Sequence, residues 1–102
     1  MYGLHGKLFA QEGKRDEFVE IMKRAAAIVG ELPSCHIYLV NEDVEDPTCI
    51  WIYEVWDSEE AHDESLKDER VRALIAEAMP LMGGKPEGIK LNVAGGYGLG
   101  SV

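Results

Sequence analysis

Thr48-Cys49-Ile50-Trp51-Ile52-Tyr53-Glu54-Val55-Trp56 is rich in β-branched and aromatic residues, which predicts a strand. The acidic run Asp43-Val44-Glu45-Asp46-Pro47 before it has turn composition, so a partner strand is expected over Cys35 to Glu42. Strand side chains alternate between two faces. One set in the quoted strand is Ile50, Ile52, Glu54 and Trp56, and the other is Cys49, Trp51, Tyr53 and Val55. The partner divides into Cys35, Ile37 and Leu39 on one side and His36, Tyr38 and Val40 on the other. A half-covered antiparallel sheet normally turns one polar face to water. Here both faces are apolar.

Upstream, Phe18, Ile21, Met22, Ala25, Ile28, Val29 and Leu32 follow helical spacing, with Arg15, Glu20, Lys23 and Glu31 opposite them. The spacing predicts a helix from Lys14 that stops at Pro33-Ser34. Before it, Tyr2 to Ala10 reads as a strand closed by the turn Gln11-Glu12-Gly13. Downstream, Asp57 or Ser58 caps a short helix running to about Leu66, with Glu60 in capping-box register to Asp57. A second helical stretch starts at Asp68 and turns Val71, Leu74, Ile75, Ala78 and Met79 inward. Pro80 and Gly83-Gly84-Lys85-Pro86 stop it, and Ile89 to Val93 forms a last strand. The order β-α-β-β-α-β predicts a ferredoxin-like α+β domain over residues 1–95, a four-stranded antiparallel sheet with its helices on one face. The glycine-rich stretch beyond it, residues 96–102, reads as a flexible tail or an arm over a partner subunit.

The face away from the helices is expected to carry Trp51, Tyr53, Tyr38, Val40 and Val55. That exceeds the apolar patch most monomers expose. Burying roughly 600 Å² of it is worth about 15 kcal/mol before association costs, at ~25 cal/mol per Å². A homodimer through this second sheet face is the expected solution, with a different partner chain as the rival.

The chain has 102 residues, 19 acidic and 10 basic, for a net charge of −9. That charge argues against nucleic acid or an anionic membrane as a partner. No stretch approaches the length of a membrane-spanning helix, and the N-terminus has no signal pattern. Cys35 and Cys49 read as free thiols in a reducing cytoplasm. The three histidines have no ligand spacing, so no metal is expected.

Several stretches together resemble the antibiotic biosynthesis monooxygenase family: the Gly13-Lys14 helix start with Phe18 after it, Ser34-Cys35-His36-Ile37-Tyr38, and above all Tyr53-Glu54-Val55-Trp56-Asp57-Ser58-Glu59-Glu60-Ala61. The family's fold is a dimeric ferredoxin-like α/β barrel. It includes quinol monooxygenases, haem-degrading relatives and isomerases. The resemblance implies a ligand cavity between sheet and helices in each subunit, where cofactor-free members oxidise electron-rich aromatic substrates through the substrate's own anion. Trp56 matches a strand-end tryptophan lining that cavity, and Glu54 the acid two residues before it. Family members commonly carry histidines about nine and thirteen residues after this tryptophan; here those positions hold Ser65 and Glu69, with His62 a turn earlier. The asparagine–histidine pair of the haem-degrading members has no clear counterpart, so no cofactor is expected.

The candidate catalytic residues are therefore His5, Glu54 and His62. His5 lies between Gly3 and Gly6, where a ligand would find room, and would act as a base; the plainer reading is a hydrogen-bonded sheet histidine. Glu54 interrupts an apolar set and so needs either a partner, such as Lys7 or Arg72, or a raised pKa. His62 is a surface residue unless it turns inward to meet a substrate. His36 is expected at the subunit interface. Tyr53 and Trp56 would stack on a small aromatic ligand, or simply fill the core. The expected activity is a cofactor-independent monooxygenase on a small aromatic or quinol-like substrate. The alternatives are an isomerase on the same fold and a non-catalytic ligand-binding dimer.

Overall fold

Gly13, at a φ of 78° that L side chains rarely adopt, turns the chain from the first strand, β1 (Tyr2–Phe9), into the first helix, α1 (Arg15–Val29). The structure, a computed structural model, describes residues 1–99. Asp16 and Glu17 in the first turn of α1 complement the helix dipole. Phe18, Val19, Ile21, Ala25 and Val29 are its buried stripe. The helix stops at Val29, earlier than the proline predicts. Gly30, Glu31 and Leu32 follow as tight turns, with the Glu31 and Leu32 amides donating to Ile28 and Val29.

The hairpin is β2 (Cys35–Glu42) and β3 (Cys49–Trp56). Its loop is held from outside: Arg15 Nη1 donates to the Asp43 and Asp46 carbonyls at 2.9 and 2.8 Å. Asp43 in turn accepts from the Trp51 indole at 2.9 Å and from the Glu45 and Asp46 amides. After β3, the Ser58 hydroxyl, not Asp57, caps α2 (Glu59–Ser65) by accepting from the Ala61 amide. Asp68 caps α3 (Glu69–Ala78), whose inner residues are Val71, Leu74 and Ala78. A 3-10 turn at Met79–Leu81 contains Pro80, and β4 (Glu87–Asn92) completes the sheet.

The sheet order is β2-β3-β1-β4, with every neighbour antiparallel. With three helices against its one face, this is the ferredoxin-like α+β plan. Phe18, Ile21 and Ala25 of α1 meet Ile50 and Ile52 of β3 and Leu74 and Ala78 of α3 in the main core. Val29, Trp56 and Val71 form a second cluster. All six residues of β4 are exposed, with Lys90 reaching Glu59 at the start of α2. Among the described residues no helix is long and apolar enough to cross a membrane. Residues 100–102 of the expected tail lie outside the described residues.

One expectation about the faces is corrected. Tyr38 pairs with Glu54 and Val40 with Ile52, so both turn toward the helices and pack against the core. Leu39 pairs with Tyr53 and Asn41 with Trp51, on the far face. A bulge between Cys35 and Ile37 shifts the register, and alternation alone does not say which set of β2 meets which set of β3. The far face is apolar all the same: Leu39, Ile89 and Leu91 are exposed there, beside the half-buried Trp51 and Tyr53. His36 is exposed, with Nε2 2.6 Å from Asp57 Oδ1. Cys35 and Cys49 are free, and lie toward opposite ends of the hairpin.

The chain running from α3 into β4 crosses the end of β1 closely. The Gly83 amide donates to the Phe9 carbonyl at 2.7 Å, and a Cβ on Gly83 would stand 2.5 Å from the Ala10 carbonyl oxygen. The next glycine, Gly84, has only ordinary contacts at 3.5 Å and beyond, to the Phe9 side chain. Gly83→Ala is therefore expected to destabilise the fold by about 1–3 kcal/mol, the usual cost of overpacking, and Gly84→Ala by well under half of that. Urea denaturation of the two variants side by side checks this; equal losses would count against the close crossing.

Candidate active site

β3 brings Glu54 and Trp56 to the helix-covered face, two residues apart and so on the same side. Trp56 is fully buried, and its indole Nε1 donates to Glu54 Oε1 at 3.0 Å. That bond is the partner the buried carboxylate needs, in place of Lys7 or Arg72. Lys7 lies on the other face, its ammonium over the rings of Trp51 and Phe9 at 5.0 and 5.3 Å. Glu54 is 8% exposed. Burial is the largest influence on it and raises its pKa above the ordinary glutamate value; the Trp56 hydrogen bond and the nearby His62 pull the other way.

α2 follows β3 directly, and its Ser58 cap sets the helix so that His62 turns inward. The imidazole stands between two aromatic rings, edge-on to Trp56 at 5.8 Å and tilted against Tyr2 at 5.7 Å. Its Nδ1 lies 3.0 Å from Asp63 Oδ1 and its Nε2 3.8 Å from Glu54 Oε1. When Nδ1 carries the proton, it donates to Asp63 and leaves Nε2 as an acceptor facing Glu54. The Asp63 side chain is 63% exposed and the Glu54 side chain 11%, so the imidazole links a buried carboxylate to one in water.

Glu54 and His62 open onto a cavity of about 320 Å³ between the sheet and the helices. Two other polar side chains line it, Tyr38 and Ser65; every remaining lining residue is apolar. The Ser65 hydroxyl already donates to the His62 carbonyl. Tyr38, paired across the hairpin with Glu54, is kept in its phenol form by burial and by the Glu54 charge, which raise its pKa. It remains a hydrogen-bond donor at any ordinary pH. Its hydroxyl takes no hydrogen bond among the described residues, which leaves it available to a ligand.

The predicted residues thus fall into two groups. Glu54, Trp56 and His62 come together, although Trp56 stands behind the carboxylate and is not itself part of the cavity lining. His5 and Tyr53 pair with each other on the opposite face, where the His5 ring lies 5.1 Å from that of Trp51 and 5.9 Å from that of Tyr53. The sheet separates them from the cavity. Tyr38 escaped sequence reasoning because its face depends on the hairpin register; a known pairing of Glu42 with Ile50 would have placed it beside Glu54. No cluster of three His, Cys, Asp or Glu is placed to hold a metal among the described residues.

The family model for antibiotic biosynthesis monooxygenases matches residues 1–77. A crystal structure from Chloroflexus aurantiacus, named for that family, is 40% identical, with 97% of this chain and 98% of that one covered at a TM-score of 0.88. Proteins named for the same family from Caulobacter crescentus and Deinococcus radiodurans share the fold at 24% and 22% identity. Their TM-scores are 0.83 and 0.81; the coverage is 88% and 96% of this chain, and 86% and 97% of theirs. None of these names states a substrate, and no curated protein matches the chain. By the extent of the family match and by its 40% identical relative, this chain belongs to the antibiotic biosynthesis monooxygenase family.

Proposed function

We propose that the chain is a cofactor-independent monooxygenase that takes a small aromatic or quinol-like substrate into the cavity over β3. The observation that carries this reading is Glu54, the one carboxylate lining an otherwise largely apolar cavity, with His62 beside it. A phenolic hydroxyl placed against them hydrogen-bonds to Glu54 and Tyr38 and loses its proton to the carboxylate. His62 relays that proton toward Asp63 and water. The resulting electron-rich anion reduces oxygen itself: a dihydroxyarene and one O2 give a hydroxyquinone and one water, with one oxygen atom inserted into the ring. The apolar walls favour the aromatic body and exclude competing water. The second reading is an isomerase, favoured by the same Glu54–His62 pair, which suits proton shuttling within one substrate. It would exchange substrate protons with deuterated solvent and consume no oxygen. A non-catalytic ligand-binding dimer would do neither.

The second face supports a homodimer. Leu39, Ile89 and Leu91 are 53%, 60% and 43% exposed on one side of one sheet. Packing two such faces around a two-fold axis removes them from water. The two free thiols fit a reducing cytoplasm.

Oxygen uptake with a panel of hydroquinones in metal-free buffer tests the reaction, with one O2 consumed per substrate as the expected result. No uptake above buffer with any member would sink it. Glu54→Gln is expected to lower the rate about 10²-fold or more, the usual worth of a general base. The wild-type rate should rise with pH as Glu54 loses its proton, with a midpoint above the ordinary glutamate value.

The same raised pKa makes a stability statement. A group that binds its proton more tightly when folded contributes most below its unfolded pKa, and loses that contribution as pH rises through its folded pKa. Glu54→Gln should therefore be more stable than the wild type at pH 8, with the gap closing by pH 4; denaturation midpoints at the two values read this directly. For the assembly, light scattering should give twice the chain mass for the wild type, and the chain mass for Leu39→Glu combined with Ile89→Glu. A wild-type monomer at micromolar concentration would overturn the dimer.

A further inference from the structure

Leu66, Ile75 and Met79 belong to two groups at once. They line the cavity over Glu54, and they are among the large hydrophobic residues exposed to water, at 45%, 44% and 58%. A side chain that lines a cavity and also faces solvent stands at its rim. Ile75 in the last turn of α3 and Met79, which caps its end, are four residues apart, about one helical turn, and Leu66 caps the end of α2. Glu54 lies at the other extreme of exposure, on a central strand beneath the helices. The sheet residues Glu54 and Tyr38 therefore lie at the floor, and largely apolar lining leads from them to a rim that stays apolar in water.

Single exposed hydrophobic residues need no explanation, but three around one opening do. A polar substrate that fitted wholly inside would gain nothing from such a rim, and the rim would be free to carry charged residues. Met22, Met79 and Met82, flexible and polarisable, also line the cavity and suit an elongated apolar group that has no fixed shape.

We propose that this rim is a subsite for an alkyl or similar apolar side chain on the aromatic ligand, so that the ligand is an amphiphile with its phenolic head on Glu54 and Tyr38 and its tail leaving past Leu66, Ile75 and Met79. The proposal deepens the aromatic-ligand reading and rests on it. It follows that affinity grows with tail length until the tail passes the rim, and that the rim residues set the length preferred.

A series of 4-alkylphenols with tails of one to eight carbons, measured anaerobically by calorimetry, tests this without turnover. Each of the first four or so methylenes is expected to tighten binding by about 2- to 4-fold, the upper figure being the worth of a fully buried methylene. The gain should then level off. In the double variant Ile75→Gln with Met79→Gln, whose half-exposed positions should tolerate an amide, the dependence on tail length should largely disappear. A flat series in the wild type, or no binding by any member, would overturn the subsite, and a slope kept intact by the double variant would overturn its location. If the octyl compound binds only after the chain is cut following Gly95, the rim is the seat of this chain's own C-terminal segment and the proposal fails. A clear slope together with no oxygen uptake from any hydroquinone would leave the subsite standing and remove the monooxygenase reading.

Discussion

The hydrogen bond from the Trp56 indole to Glu54 decides most of what is distinctive in this domain. An unpaired carboxylate in an apolar core costs several kcal/mol, and the ordinary outcome is that the group is lost or kept permanently neutral. A bond to a charged acceptor returns roughly 1.5–3 kcal/mol of that. It also fixes one oxygen, Oε1, which His62 Nε2 faces at 3.8 Å. The donor is fully buried and two residues away on the same strand, so no loop motion can withdraw it. Placing a carboxylate on a rigid central strand trades stability for a group aimed with little freedom.

The same strand divides the labour of the molecule. One side of β3 supports Glu54, Trp56 and the cavity; the other carries Trp51 and Tyr53 into the exposed apolar face. The helices cannot cover both sides. The residues of β4 stay exposed. The cavity and the exposed apolar face thus lie on opposite sides of one sheet, and a change at Leu39 or Ile89 need not disturb Glu54.

Much of this was legible in the sequence. The element order, the broken helix between Leu66 and Asp68 and the apolar character of both sheet faces follow from spacing and turn chemistry. Glu54 was found because it interrupts an apolar set. The side on which Tyr38 and Val40 lie was not legible, since alternation within each strand does not say which set of β2 meets which set of β3, and only the register reveals it. Tyr53 lies on the face opposite Glu54, as alternation along β3 predicts, and the β1–β3 register puts His5 there with it, behind the sheet from the cavity. His62 depended on the direction of a short helix, and that was fixed by the Ser58 cap and by the rings of Tyr2 and Trp56 around the imidazole.

The position of β1 has a consequence for how the domain is made. It lies in the interior of the sheet between β3 and β4, yet it precedes both in the chain, with α1 and β2 intervening before its first partner. At a synthesis rate of ~5–20 residues per second, β1 waits some seconds with both edges unpaired. The hairpin of β2 and β3 forms from local contacts, while the sheet closes only when this early strand inserts beside a late one. Gly3, Gly6 and Lys7 make β1 a poor template for pairing with other chains during that interval. Nascent chains therefore remain dependent on that weak self-affinity, or on a chaperone, until β3 has emerged.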